Sequence, residues 1–97
     1  MTTRFQLYRG DVMLGIVEHT EDDFPEHIGI FDATDTFEEV RGLFVDELRL
    51  LNENRLDEWR QIRSQIESPG LKLLPIGGGS AVLSPLIHIE GVKAWWR

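Results

Sequence analysis

From residue 5 to residue 18, apolar and polar side chains alternate with a period of two. Phe5 and Leu7 alternate with Gln6 and Tyr8; past Gly10-Asp11, Val12, Leu14 and Ile16 alternate with Met13, Gly15 and Val17. Such alternation gives each set its own face of a strand. Glycine takes a positive φ at no steric cost, so Gly10 suits the turn between two such runs. The stretch predicts a β-hairpin. Residues 19–27 (HTEDDFPEH) are polar, contain Pro25 and predict a loop. Residues 28–32 are short and apolar and suit a third strand.

The period changes at Phe37. Phe37, Val40, Phe44, Leu48 and Leu51 fall three or four apart with Leu43 beside them, and Glu38, Glu39, Asp46, Glu47 and Arg49 take the other side. That is an amphipathic helix. Thr36 and Glu39 have capping-box spacing, and Glu38 and Glu39 suit the positive end of the helix dipole. Gly42 costs ~1 kcal/mol relative to alanine in a helix, which a close approach by another element would justify. Asn52-Glu53-Asn54 interrupts the run, because asparagine favours caps over helix interiors. Asn54 then caps a second helix over 55–67 with Leu56, Trp59, Ile62 and Ile66 on its apolar side. An unbroken helix over 37–67 would run ~46 Å at ~1.5 Å per residue, and would protrude unless a second copy covered it.

Ser68-Pro69-Gly70 ends the helical segment. Three further strands follow: 71–76, then 81–90 after Gly77-Gly78-Gly79-Ser80, then 92–97. Pro75 and Pro85 lack a ladder donor and mark an edge or a bend. Leu86, His88 and Glu90 share one face against Ile87 and Ile89; Lys93, Trp95 and Arg97 oppose Ala94 and Trp96. The order β-β-β-α-α-β-β-β implies an α+β domain, an antiparallel β-sheet with two helices packed on one face.

Length and composition narrow this picture. Ninety-seven residues support one domain, 1–97, with no room for a second core. No run of about 18 apolar residues suggests a membrane span, and the opening residues lack the apolar core of a signal peptide. A cytoplasmic protein without membrane attachment is expected. With no cysteine, disulfides, thiolate chemistry and cysteine metal sites are absent. The net charge of −7 is uneven: residues 18–58 hold 14 acids against 3 arginines, and the rest 3 acids against 7 bases. Scattered bases argue against direct nucleic-acid binding, which needs clustered lysine and arginine. The acidic middle suits a solvated surface, a basic partner or a cation.

Four constellations carry candidate chemistry. His88 with Glu90 on one strand face, near Trp95, has the makings of an oriented general base. No nucleophile elbow accompanies it, and Ser80 and Ser84 read as turn residues; a hydrogen-bonded structural histidine is the simpler reading. His19, Asp22, Asp23 and His27 offer imidazole and carboxylate donors for a divalent metal, with Glu21 and Glu26 beside them. Their spacing matches neither an EF-hand loop nor HExxH, and an exposed acidic loop explains them equally. The glycine loop lacks the lysine of a P-loop and reads as a hairpin turn, as does Arg9-Gly10-Asp11. Trp95, Trp96 and Arg97 have the composition of an interface hot spot, or the tryptophans seal the ends of a small core.

The closing residues Ile87-His88-Ile89-Glu90-Gly91-Val92-Lys93-Ala94-Trp95-Trp96-Arg97 resemble the end of a family of small uncharacterised bacterial proteins, a domain of unknown function. The Phe5-x-Leu7-Tyr8-Arg9 opening, Gly15 and the Phe37-Glu38 to Leu51 helix are similar too. The resemblance implies a small bacterial protein and supplies no catalytic residues. The sequence thus favours a non-enzymatic cytoplasmic protein-interaction or regulatory module with an acidic surface. It would use its acidic helical side or the Trp95–Arg97 edge against another protein or a second copy of itself, as a homodimer. No cofactor is implied. The alternative is a small-molecule or divalent-metal binding domain, or an enzyme, centred on His88 and Glu90. A third reading has the carboxylates mimic nucleic acid against a basic protein.

Overall fold

The computed structural model describes residues 2–97. Among them, seven strands form one antiparallel sheet: β1 Arg4–Arg9, β2 Val12–Asp23, β3 Glu26–Ala33, β4 Leu71–Pro75, β5 Val82–Leu83, β6 Ile87–Glu90 and β7 Lys93–Trp96. Between β3 and β4 lie a 3-10 helix at Asp35–Glu39 and two α-helices, α1 Arg41–Asn52 and α2 Leu56–Glu67. The spatial order is β5-β4-β1-β2-β3-β7-β6. This is the α+β class read from the sequence, with its helical segment in two pieces. The radius of gyration, 12.9 Å, is that of a compact chain of this length, ~13 Å, so no long helix stands free.

The sheet curls around one core. Register places Phe5, Leu7, Gly15, Val17, Phe31, Gly29, Leu71, Leu73, Ala94, Trp96, Ile87 and Ile89 on its inner face. Phe37, Phe44 and Ile66 fill the space from the helical side. The aromatic rings interlock: Phe31 meets Phe37 edge-on at 4.9 Å, and Phe37 meets Phe44 at 5.6 Å. A bulge between Leu7 and Tyr8 leaves Leu14 unpaired. That extra residue resets the alternation of β2, which is why Leu14, Gly15 and Val17 are all buried.

Several local expectations are corrected. Residues 19–27 are not a loop: β2 runs on to Asp23 and β3 starts at Glu26, with Glu21↔Ile28, Asp22↔His27 and Asp23↔Glu26 paired across the hairpin. Its polar strands show no apolar alternation because their outer end is exposed, and Pro25 occupies the turn instead of breaking a strand. The third strand is correspondingly longer than 28–32. The Thr36–Glu39 capping box does not form. Thr36 Oγ1 instead donates to the Met13 carbonyl at 2.7 Å, with Thr34 Oγ1 bonding there and at Leu14; the two threonines tie the start of the helical segment to β2. The strand expected over 81–90 is broken by Ser84, at φ 52°, and Pro85. A Cβ on Gly42 meets nothing within 4 Å, so no close approach explains that glycine.

Asn54 closes α1 and does not cap α2. It takes the left-handed conformation, φ 58°. Its N–H bonds the Leu51 carbonyl, and the Arg55 N–H bonds the Leu50 carbonyl, which is the Schellman arrangement. An Asn54→Gly variant is expected to melt at or slightly above the parent temperature. Asn54→Ala is expected to lose ~1 kcal/mol, because a Cβ without a local polar partner is disfavoured there. Paired thermal melts check both.

Candidate functional site

Two clusters of ionisable side chains stand out, one inside the fold and one at its surface. The inner cluster forms where the helices meet strand β6, the last strand of the sheet. Glu47 of α1 is 0 % exposed, His88 of β6 is 7 % and Arg63 of α2 is 4 %. The Trp59 indole N–H donates to Glu47 Oε1 at 3.0 Å. Arg63 spreads its fork over three acceptors. Nε donates to Glu67 Oε2 at 2.7 Å, and the terminal nitrogens donate to the Ile87 carbonyl (2.7 Å) and the Pro85 carbonyl (3.3 Å). The guanidinium also faces Glu47 Oε1 at 3.7 Å. Ile87 lies on an edge strand, whose carbonyls would otherwise offer a template for another chain. Arg63 therefore closes the β6 edge, and Glu47 balances its charge in the interior.

His88 Nδ1 lies 2.6 Å from Glu47 Oε1, yet the ring N–H direction misses the oxygen, and both Nδ1 and Glu47 Oε2 lack a hydrogen-bond partner. The two groups are in close contact without a well-aligned hydrogen bond. The expected pairing of His88 with Glu90 does not form. Glu90 is exposed, stands opposite Lys93 in register and faces a cleft of about 390 Å³ with Val45, Leu48 and Ile89. A second cleft, of about 500 Å³, is lined by Trp59, Arg63, Glu67 and Leu86. Neither cleft is lined by Glu47 or His88, so solvent has no route to the imidazole through them. His88 stacks at a tilt on Trp95, 5.4 Å between ring centres. This arrangement holds a strand edge.

The outer cluster sits on the β2–β3 hairpin. Asp22 Oδ1 accepts from His19 Nε2 at 2.7 Å and from His27 Nδ1 at 2.6 Å. The His27 hydrogen bond, and next the His19 one, hold the Asp22 carboxyl below the usual carboxylate range. Both imidazoles pack against Trp96, each with its ring centre 5.6 Å from the indole. Three of the four residues singled out as metal donors therefore meet; Asp23, paired with Glu26 nearer the tip, does not join them.

No protein-family model matches the chain, and no curated protein or solved structure matches it. The site is read from its own geometry alone. Of the three terminal candidates, Trp96 is 3 % exposed and belongs to the core, where Phe5 meets it edge-on at 6.0 Å. Trp95 is half-buried on the opposite face under Lys93, whose ammonium lies 5.3 Å from its ring. Arg97 is exposed, 4.0 Å from Glu26. Among the described residues, no helix is long and apolar enough to cross a membrane.

Part of the charge on the helical segment is offset locally. Helical carboxylates are matched by arginines three residues away: Glu38 with Arg41, Asp57 with Arg60, Glu58 with Arg55. Among the described residues, Glu21 and Asp23 on the hairpin have no cation within ion-pair distance, and they precede Phe24, 96 % exposed at the tip. Residues 18–27 hold five acids and no lysine or arginine, so the hairpin carries an unbalanced negative charge of its own.

Proposed function

We propose that this chain is a non-enzymatic, cytoplasmic protein-interaction module, and that the end of the β2–β3 hairpin is its contact surface. The carrying observation is Phe24, 96 % exposed at the tip of a ribbon, directly after the unpaired carboxylates of Glu21 and Asp23. An exposed phenylalanine gains ~1.5–3 kcal/mol when a partner buries it. Glu21 and Asp23 beside it favour a partner whose apolar slot has a basic rim, and they would speed its arrival. Beyond Glu18, β2 no longer pairs with β1, so the ribbon presents a free edge as well. Trp95 and Arg97 lie at the base of the same hairpin, with Ile28 opposite Trp95 and Arg97 4.0 Å from Glu26, and add a secondary contact.

The test is capture of a partner on tagged protein, comparing the parent with Phe24→Ser and with Leu83→Ser, a control at the exposed β5 edge. Phe24 makes no packing in the fold, so Phe24→Ser is expected to change stability by less than ~0.5 kcal/mol. The parent and Leu83→Ser are expected to retain one stoichiometric partner that weakens as salt rises, and Phe24→Ser to lose it. A partner kept by Phe24→Ser, or no partner at any salt, contradicts the reading.

A further inference from the structure

The bulge in β2 has a chemical consequence for the hairpin. In a regular strand His19 and Asp22, three residues apart, would face opposite sides. Here the register shifts between His19 and Glu21, so Thr20 is the extra residue. His19 then lies opposite Gly29 and Asp22 opposite His27. Because Gly29 and His27 are two apart on β3, all three side chains emerge on one face. Bulges that re-aim a side chain recur beside functional sites.

We propose that His19 Nε2, Asp22 Oδ1 and His27 Nδ1 form a binding site for one divalent transition-metal ion, with Zn²⁺ the best match. Two imidazoles and one carboxylate are a borderline donor set, which suits Zn²⁺ and its neighbours and not Mg²⁺ or Ca²⁺. The three atoms lie within 4.8 Å of one another, and two of the separations are 2.7 and 2.6 Å. Tetrahedral zinc with bonds of ~2.1 Å needs donor separations of ~3.4 Å. The two short separations fall under that value by less than an ångström, so small shifts of the side chains admit the ion. The two imidazoles are braced by Trp96, itself buried, and all three donors stand on paired strands, which fixes the site before metal arrives.

Metal binding needs a lone pair on His19 Nε2 and on His27 Nδ1, so the proton that each nitrogen directs at Asp22 Oδ1 leaves it, for solvent or for the other nitrogen of the ring. Asp22 supplies the third bond. The fourth position faces solvent, since Asp22 and His27 are exposed, and it is open to water or to a donor from a docked partner. The unpaired carboxylates of Glu21 and Asp23 add a local field that favours a cation.

The test is calorimetric titration of the full chain with Zn²⁺, and separately with Mg²⁺, accompanied by thermal melts. The parent is expected to bind one Zn²⁺ per chain, to melt at a higher temperature with it, and to give no response to Mg²⁺. Asp22→Asn and His27→Gln are each expected to weaken Zn²⁺ binding about tenfold or more, while Glu21→Gln keeps the parent affinity. Asp22 is exposed, so Asp22→Asn reports on the ligand set without a loss of folding, and its melt without metal verifies that. Absence of Zn²⁺ binding, or parent affinity in either ligand variant, overturns the proposal. Neither result touches the Phe24 contact, which is tested without metal.

Discussion

Replacing Glu47 with alanine is expected to destabilise the domain by roughly 3 kcal/mol. At ~4–8 °C per kcal/mol for a chain of this size, the melting temperature falls by roughly 12–24 °C. The loss is large because the carboxylate is 0 % exposed and serves three neighbours. It accepts the Trp59 indole N–H, lies against His88, and offsets the Arg63 guanidinium. Without it, Arg63 remains in the interior, held by Glu67 and two carbonyls, and Trp59 loses its acceptor. The residual Glu67 contact keeps the cost at the lower end for a broken buried pair. Glu47→Gln retains an acceptor for Trp59 but not the charge, and is expected to fall between parent and alanine variant. Thermal melts followed by circular dichroism measure both. A change within ~0.5 kcal/mol, as for an exposed site, would put Glu47 on the solvent face and remove the account of the β6 edge.

Gly29→Ala is expected to cost at least ~3 kcal/mol, the upper part of the range for overpacked sites. A Cβ at Gly29 would stand 2.4 Å from the Glu18 carbonyl oxygen and 3.1 Å from Val17 Cγ1. The first is backbone of the paired strand, and it yields only if β2 and β3 part. Gly29 sits opposite His19 on one side and Ala94 on the other. A Gly29→Ala chain should therefore also lose the packing of His19 on Trp96, seen as a shift in tryptophan fluorescence. Gly42 gives the opposite sign. Its Cβ would meet open space within a helix, so Gly42→Ala is expected to gain ~1 kcal/mol. Equal melting temperatures for the two variants would contradict the assigned register of β2 and β3.

The alternation rules read the sheet wherever one face is buried. Ala94 and Trp96 are inside and Lys93 and Arg97 outside, as a period of two requires. The same rules failed at 19–27, because both strands there are polar and the turn at Phe24-Pro25 looked like a break. Read as a hairpin, that segment places Asp22 opposite His27 directly, and the His19 donor follows from the bulge. The helical stripe was legible but its register was not complete. Glu47 falls three residues after Phe44 and three before Leu50, and both of those are buried. Arg63 falls three before Ile66 and four after Trp59. Two inward positions thus carry opposite charges, a signal that an apolar count passes over. The break at Asn54 was visible from composition, but its direction was not: the same asparagine can open a helix or close one, and only its φ decides.

The central claim is that function lies at the hairpin end, not at the buried histidine. Hydrogen-exchange mass spectrometry of the chain, free and with its captured partner, tests this most directly. The account predicts slower exchange on binding in peptides covering residues 19–27, with Phe24 at the centre, and little change over β6. Protection confined to residues 86–97 or to the α1–α2 surface, with the hairpin exchanging as in the free chain, would contradict it.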